Sequence, residues 1–319
     1  MLKNVNRTCK SPLFGYYYLL SVYGLGIVFF TLFRIITLVV FYNDPGYPHE
    51  YGVNLLKAFI MGLRFDTVIS CYLLSFPILY IIVGSIAGIR KPVYYKIIHI
   101  LISTLYVICF FACAADIPYF KYFFTRLNAS ALAWMDSFSF VFQMIVEEPI
   151  FICYLLGFVV ISIAYLLIMR LMRKYFLQDP TFDSRKMAFR ITLGILFVGL
   201  CLLGARGRTT IKSPIRVGTA YFSNNAFLNQ LGLNPIFTFI NSVAESSKYK
   251  EINLIDSDKA ERIVEEQLEN NDWQNPNIIR LKPNTNIVLV LMESMAAHKV
   301  GHFGEGQSLT PNLDSIIDN

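Results

Sequence analysis

Long apolar runs alternate with short polar segments over the first two thirds of the chain. The runs cover about residues 14–42, 65–87, 97–115, 149–169 and 189–205. A helix needs about 20 predominantly apolar residues to cross the hydrocarbon core, so each run is read as one span. Arg34 interrupts the first run near one end, where its side chain snorkels or pairs. The second run opens with Gly62-Leu63-Arg64-Phe65-Asp66, which places Arg64 and Asp66 where a helix meets the interface. They read either as an end-of-span charge set or as a polar site facing lipid headgroups. Pro77 lies inside this span, where a membrane helix tolerates proline. The third run ends at Asp116, Pro118, Tyr119 and Phe120. Residues 121–148 are aromatic but interrupted by Arg126, Asn128, Asp136 and Gln143, the pattern of an interfacial connection with a partly inserted helix.

The pattern changes after the fifth run. Arg206, Arg208 and Lys212 follow it, as interfacial anchors or as attraction for phosphate headgroups. Leu231-Gly232-Leu233-Asn234-Pro235-Ile236-Phe237 reads as one helix ending and another starting. Apolar residues continue to about Val243, so this segment is expected along the membrane surface or against the bundle. From Ser246 to Lys282 the chain is ordinarily polar. Asp256-Ser257-Asp258 is an N-cap cluster, and Ala260, Ile263, Val264 and Leu268 follow at helical spacing. One amphipathic helix is expected there, with one face packed on the connector or on an external domain. Asn270 to Pro276 is a turn-rich break.

Ile287–Met292 is a short continuous apolar run, bounded by Pro283-Asn284 and by Glu293-Ser294. It is too short to cross a bilayer and reads as a buried strand of a parallel sheet. Glu293 then falls at the strand's carboxyl end, where open α/β sheets place ligands. A carboxylate there suits a hard or borderline cation. Ser294 reads as a cap in preference to a nucleophile. His298 and His302 share a face if 295–302 is helical, and are read as solvent-facing in preference to a zinc pair. Thr310-Pro311-Asn312-Leu313-Asp314 starts a short helix with proline at its first position, which makes Thr310 a cap before it is a nucleophile.

Composition sharpens the membrane reading. The 319 residues are 55% apolar and only 16% charged, unlike a soluble domain. The net charge of +6 gathers in short segments, so it speaks for topology and not for nucleic acid. Lys3, Arg7 and Lys10 precede span one, Arg90, Lys91 and Lys96 follow span two, and Arg170, Arg173, Lys174, Arg185, Lys186 and Arg190 lie between spans four and five. With five spans these share one side. The positive-inside rule puts the N-terminus in the cytoplasm and the chain after span five outside. The first run is too long for a signal core and is read as a span that stays. Six cysteines are present and none follows residue 205, so no external disulfide framework is expected. Cys109 and Cys113 read as helix packing in preference to metal ligation. No internal repeat, Gly-rich phosphate loop or nucleic-acid motif is present.

Taken in order, the five spans, the connector, the segment from Pro283 to Ser294, a glycine-containing turn and Leu309–Asp314 form a pattern. It resembles the lipoteichoic acid synthase-like membrane sulfatases of the alkaline phosphatase superfamily. Gly62–Asp66, Asp116 with Tyr119-Phe120, and Leu233-Asn234-Pro235 are similar to that family as well. The fold implied is a five-span α-helical membrane bundle followed by the truncated start of an α/β, alkaline phosphatase-like domain. The divisions are 1–205 for the transmembrane part, 206–283 for the extracytoplasmic connector, and 284–319 for the first strand and helices of an incomplete catalytic domain.

The function implied is divalent-metal-dependent transfer of a phosphoglycerol or phosphoethanolamine headgroup from a membrane phospholipid to an extracytoplasmic glycan or lipid acceptor. In the family a threonine is the nucleophile and forms a phospho-threonine. The residue matching Glu293 ligates the metal, commonly manganese, with magnesium, zinc and calcium as alternatives. The family's nucleophile and later Asp and His ligands are expected beyond Asn319. This chain is therefore expected to be a fragment without a competent site of its own. The location implied is the bacterial cytoplasmic membrane. Two other readings stand beside it: a sulfatase, which needs a Cys or Ser modified to formylglycine, and a non-catalytic membrane remnant or scaffold.

Overall fold

The computed structural model describes residues 14–42, 52–89, 91–132, 139, 143, 146–177, 187–208, 213–247, 255–269, 292, 297–303 and 309–318. The chain divides into two compact units, Met1–Glu251 and Ile252–Asn319.

The first unit is a helical bundle. Its long helices are α1 (Phe14–Phe41), α2 (Gly52–Ile86), α3 (Pro92–Phe123), α4 (Pro149–Phe176) and α5 (Met187–Arg206). These five are long and apolar enough to cross a membrane. Two short helices follow, α6 (Ala226–Leu231) and α7 (Pro235–Ser246), after a 3-10 turn at Val217–Ala220.

Two boundaries differ from the sequence expectation. The second span was expected to begin at the Arg64/Asp66 charges, but α2 begins at Gly52 and carries both residues inside it. At 1.5 Å per residue its 35 residues extend about 52 Å, well beyond a core of about 30 Å. The third span was expected to stop at Asp116. Instead α3 continues through Asp116 and Pro118 to Phe123 and closes with Phe124 in the left-handed region, φ 54°. In both cases the carboxylate lies inside the helix and not at its boundary. Each is neutralised by a guanidinium from elsewhere in the chain, which lets the helix run on. Pro77 is accommodated within α2 as expected.

The centre of the bundle is aromatic. Phe29 and Phe30 of α1, Tyr106 and Phe110 of α3 and Tyr165 of α4 are buried together. Phe110 and Tyr165 meet edge to face at 5.0 Å between ring centroids, and Phe29 lies 5.3 Å from Tyr165 and 5.4 Å from Phe110. Lipid tails are as apolar as these rings, so close packing and not water exclusion holds the helices here. The outer helices commit less of themselves to the bundle. In α4 only Phe151, Ser162, Tyr165 and Met169 are buried, and in α5 only Gly194.

The helix break expected at Leu231–Phe237 is present. Asn234 is the N-cap of α7: its side-chain oxygen accepts from the backbone N–H of Ile236 at 3.0 Å, and Pro235 takes the first helical position. The α7 segment packs against the bundle, as its apolar composition requires. Phe237 meets Phe65 of α2 at 4.8 Å between centroids, and the Thr238 hydroxyl donates to the Leu127 carbonyl at 2.8 Å.

The second unit contains the amphipathic helix α8 (Ser257–Glu269), a 3-10 turn at Ala297–Lys299, and α9 (Pro311–Asp318). Asp256 opens α8, accepting from the Asp258 N–H at 3.1 Å. The apolar face expected to be packed includes Ile263 and Val264, which are 41% and 57% exposed. The expected strand Ile287–Met292 lies outside the described residues except for Met292, which is exposed and has no regular structure. No strand occurs among the described residues.

Candidate functional site

The most developed polar site in the described chain joins α1, α2, α3, α6 and the start of α7. Its first half is built on Arg34 and Asp66. Arg34 donates from Nη1 to Asp66 Oδ2 at 2.8 Å and from Nη2 to Asp66 Oδ1 at 2.9 Å, a bidentate pair. Both side chains are buried, Arg34 at 4% and Asp66 at 0% exposure. Asn234 adds a third donor, Nδ2 to Asp66 Oδ1 at 2.8 Å, while its oxygen caps α7. The remaining Arg34 Nε donates to the Leu231 carbonyl at 3.0 Å.

The second half repeats the plan with different residues. Arg126 Nη1 donates to Asp116 Oδ2, and both are buried. The other Asp116 oxygen accepts the Leu127 backbone N–H at 2.7 Å. Arg126 Nε donates to the Gln230 carbonyl at 2.8 Å, and its guanidinium lies 5.6 Å from the centre of the Phe120 ring. Gln230 and Leu231 are the last two residues of α6, whose final carbonyls have no partner within their own helix. Arg34 supplies a donor to the Leu231 carbonyl, and Arg126 adds a second donor to the Gln230 carbonyl, which also accepts the Leu233 N–H at 3.0 Å. Arg34, Asp66, Arg126 and Asn234 also line one small cavity, with Phe30 and Cys113 among its apolar walls.

One glycine makes the first pair possible. A Cβ on Gly62 would overlap the Arg34 guanidinium, so only glycine lets the arginine pass across α2 to reach Asp66. Without compensation a buried charge costs several kcal/mol, so the four charges persist because each carboxylate and guanidinium is matched. Every Asp66 and Asp116 oxygen accepts at least one hydrogen bond. The arrangement is suited to fixing five backbone segments against one another and leaves no carboxylate oxygen unmatched for proton transfer.

Arg64, read as the partner of Asp66 at an end of the span, does something else. It donates from Nη2 to the Gly207 carbonyl at 3.1 Å, just past the end of α5. Among the described residues there are two buried ion pairs, and Asp66 belongs to Arg34. Sequence reading missed the roles of Arg126, Asn234 and Gly62. The available signal was the position of Asp66 and Asp116 within or beside apolar runs, where a carboxylate requires a cationic partner.

The residues singled out near the C-terminal part are placed as follows. Glu293, the metal-ligand candidate, and Ser294 lie outside the described residues. Residues 297–302 do not form the α-helix that would align His298 and His302: Ala297–Lys299 is a single 3-10 turn, and residues 301–303 form a turn. The backbone N–H of His302 donates to Asp314 Oδ1 at 3.1 Å. Thr310 directly precedes α9, as expected, and its hydroxyl accepts from Gly301 N–H at 3.2 Å and donates to Asp314 Oδ1 at 3.0 Å. That position ties a turn to a helix and satisfies the hydroxyl. Cys109 and Cys113 are buried packing residues on α3. Among the described residues no three His, Cys, Asp or Glu side chains converge as a metal ion requires. No protein-family model matches the chain, and no solved structure is significantly similar to it.

Proposed function

We propose that this chain belongs to a membrane-anchored, divalent-metal-dependent transferase that moves a phosphoglycerol or phosphoethanolamine headgroup from a phospholipid to an extracytoplasmic acceptor. In this reading Glu293 is a metal ligand and the N-terminus is cytoplasmic, in a bacterial inner membrane. Residues 284–319 begin an α/β domain related to the sulfatases. The observation that carries the proposal is the segment from Pro283 to Ser294 followed by Leu309–Asp314, on a chain whose first 205 residues supply five helices able to cross a membrane. The locked cluster around Asp66 and Asp116 supports it by fixing the segment 226–246 to the bundle at a constant height.

The test uses the product of the native open reading frame, purified in detergent and given phosphatidylglycerol or phosphatidylethanolamine vesicles with manganese. Diacylglycerol release that is lost on chelation and in Glu293→Gln supports the transferase. Sulfate release from an aryl sulfate without diacylglycerol replaces it with the sulfatase reading. Neither product, from protein shown to be folded by its thermal transition, overturns both in favour of a non-catalytic scaffold.

A further inference from the structure

A second polar region lies at the end of α5, apart from the paired charges. We infer that Arg64, Arg208 and Arg216 form a docking site for the phosphate of an anionic phospholipid, in the leaflet where α5 ends. This goes beyond the transferase reading and does not depend on it, because it assigns a resident lipid and not a reactant.

The turn that gathers these arginines is fixed by named bonds. Gly207 follows α5 with φ +64°, a backbone that favours glycine, and lets the chain reverse. The Ile215 N–H returns to the Arg206 carbonyl at 3.2 Å. Ile215 is buried against Phe65 and Val68 of α2. Arg64 reaches the Gly207 carbonyl at 3.1 Å. Arg208 reaches Thr219 Oγ1 at 2.5 Å and the Ser213 carbonyl at 3.4 Å, and the Arg216 N–H donates to the same Thr219 oxygen at 3.3 Å. Arg64 and Arg208 bring their guanidinium groups to this turn, and Arg216 joins it through its backbone N–H with its side chain exposed.

Charge and depth then select the ligand. Among the described residues no carboxylate pairs with Arg64, Arg208 or Arg216, whereas Arg34 and Arg126 each have one. A group of arginines bonded here to neutral oxygens attracts an anion, and the planar fork of arginine suits phosphate. The 20 residues of α5 extend about 30 Å, the thickness of one hydrocarbon core, so the turn after Arg206 falls at the headgroup level. Below it, Leu202 and Leu203 of α5 are 68% and 49% exposed, an apolar surface for acyl chains next to the charge. A soluble phosphate would use the arginines but not the leucines, which commits the site to a lipid.

The experiment is native mass spectrometry of the 319-residue chain released from detergent with phosphatidylglycerol or phosphatidylcholine. Phosphatidylglycerol is expected to be retained in preference. At about 1 kcal/mol per basic residue near the surface, each arginine removed should weaken retention about fivefold, so Arg208→Gln with Arg216→Gln should lose about 25-fold. Arg208→Lys with Arg216→Lys keeps the charge and should lose less. If the double glutamine variant does not fold, Arg216→Gln alone carries the test, because Arg216 is exposed. Equal retention of both lipids, or no loss in the glutamine variants, overturns the site. Displacement of the lipid by millimolar inorganic phosphate overturns the lipid assignment in favour of a free anion.

Discussion

The aromatic centre of the bundle and its charged cluster are both buried, yet they hold the fold in different ways. The centre uses Phe29, Phe110 and Tyr165, whose contacts are numerous, weak and tolerant of exchange. The cluster uses Arg34, Asp66, Asp116, Arg126 and Asn234, whose contacts are few and directional. In lipid the aromatic rings gain only packing over their surroundings, and any well-fitting apolar residue gives much the same. The charges have no tolerable alternative, since each lost partner leaves an ion in a medium that cannot solvate it. The centre therefore supplies adhesion, and the cluster fixes which segments meet.

The sharpest break of this comparison is Asp66→Ala. It strands the Arg34 guanidinium and removes a partner of Asn234, and the expected loss is about 3–5 kcal/mol in a thermal or denaturant melt in detergent. Replacing both members, Arg34→Met with Asp66→Leu, should recover most of that loss, because no unpaired ion remains. If the double variant is as unstable as the single one, specific pairing is not what the site contributes. Next in size is Gly62→Ala, whose added methyl displaces the guanidinium from its path. A loss of about 1–3 kcal/mol is expected in the same melt. Asn234→Ala should cost about 0.5–2 kcal/mol through loss of the α7 cap, and should raise amide hydrogen exchange in Ile236 and Phe237 first. The smallest effect is expected at the centre: Phe110→Leu should cost less than about 1.5 kcal/mol. A larger loss there than for Asp66→Ala would reverse the comparison.

Reading the chain located the five spanning helices, the break at Leu231–Pro235, the amphipathic helix at Ser257–Glu269 and the helix that begins after Thr310. Those features rest on local properties: hydropathy over a helix length, a capping side chain, a proline at the first helical position. The candidate cluster was only half readable. Asp66 and Arg34 stood out as charges in apolar runs, but Asp66 was set beside its sequence neighbour Arg64. Residues two apart on a helix point to different sides, so Arg64 goes to Gly207 while Asp66 turns inward to α1.

Hydropathy and charge along the chain settled that five helices form and that any charge inside them needs a partner, because both follow from the cost of apolar and ionic groups in their own surroundings. Tertiary structure alone decided which partner each charge takes. Arg34 finds the carbonyl of Leu231, 197 positions away, and Arg126 finds that of Gln230, 104 positions away. Such pairings depend on the three-dimensional path of the backbone, on a missing side chain at Gly62 and on where a six-residue helix ends. None of these has a local signature, since a hydrogen bond constrains two atoms in space and places no restriction on the distance between them along the chain.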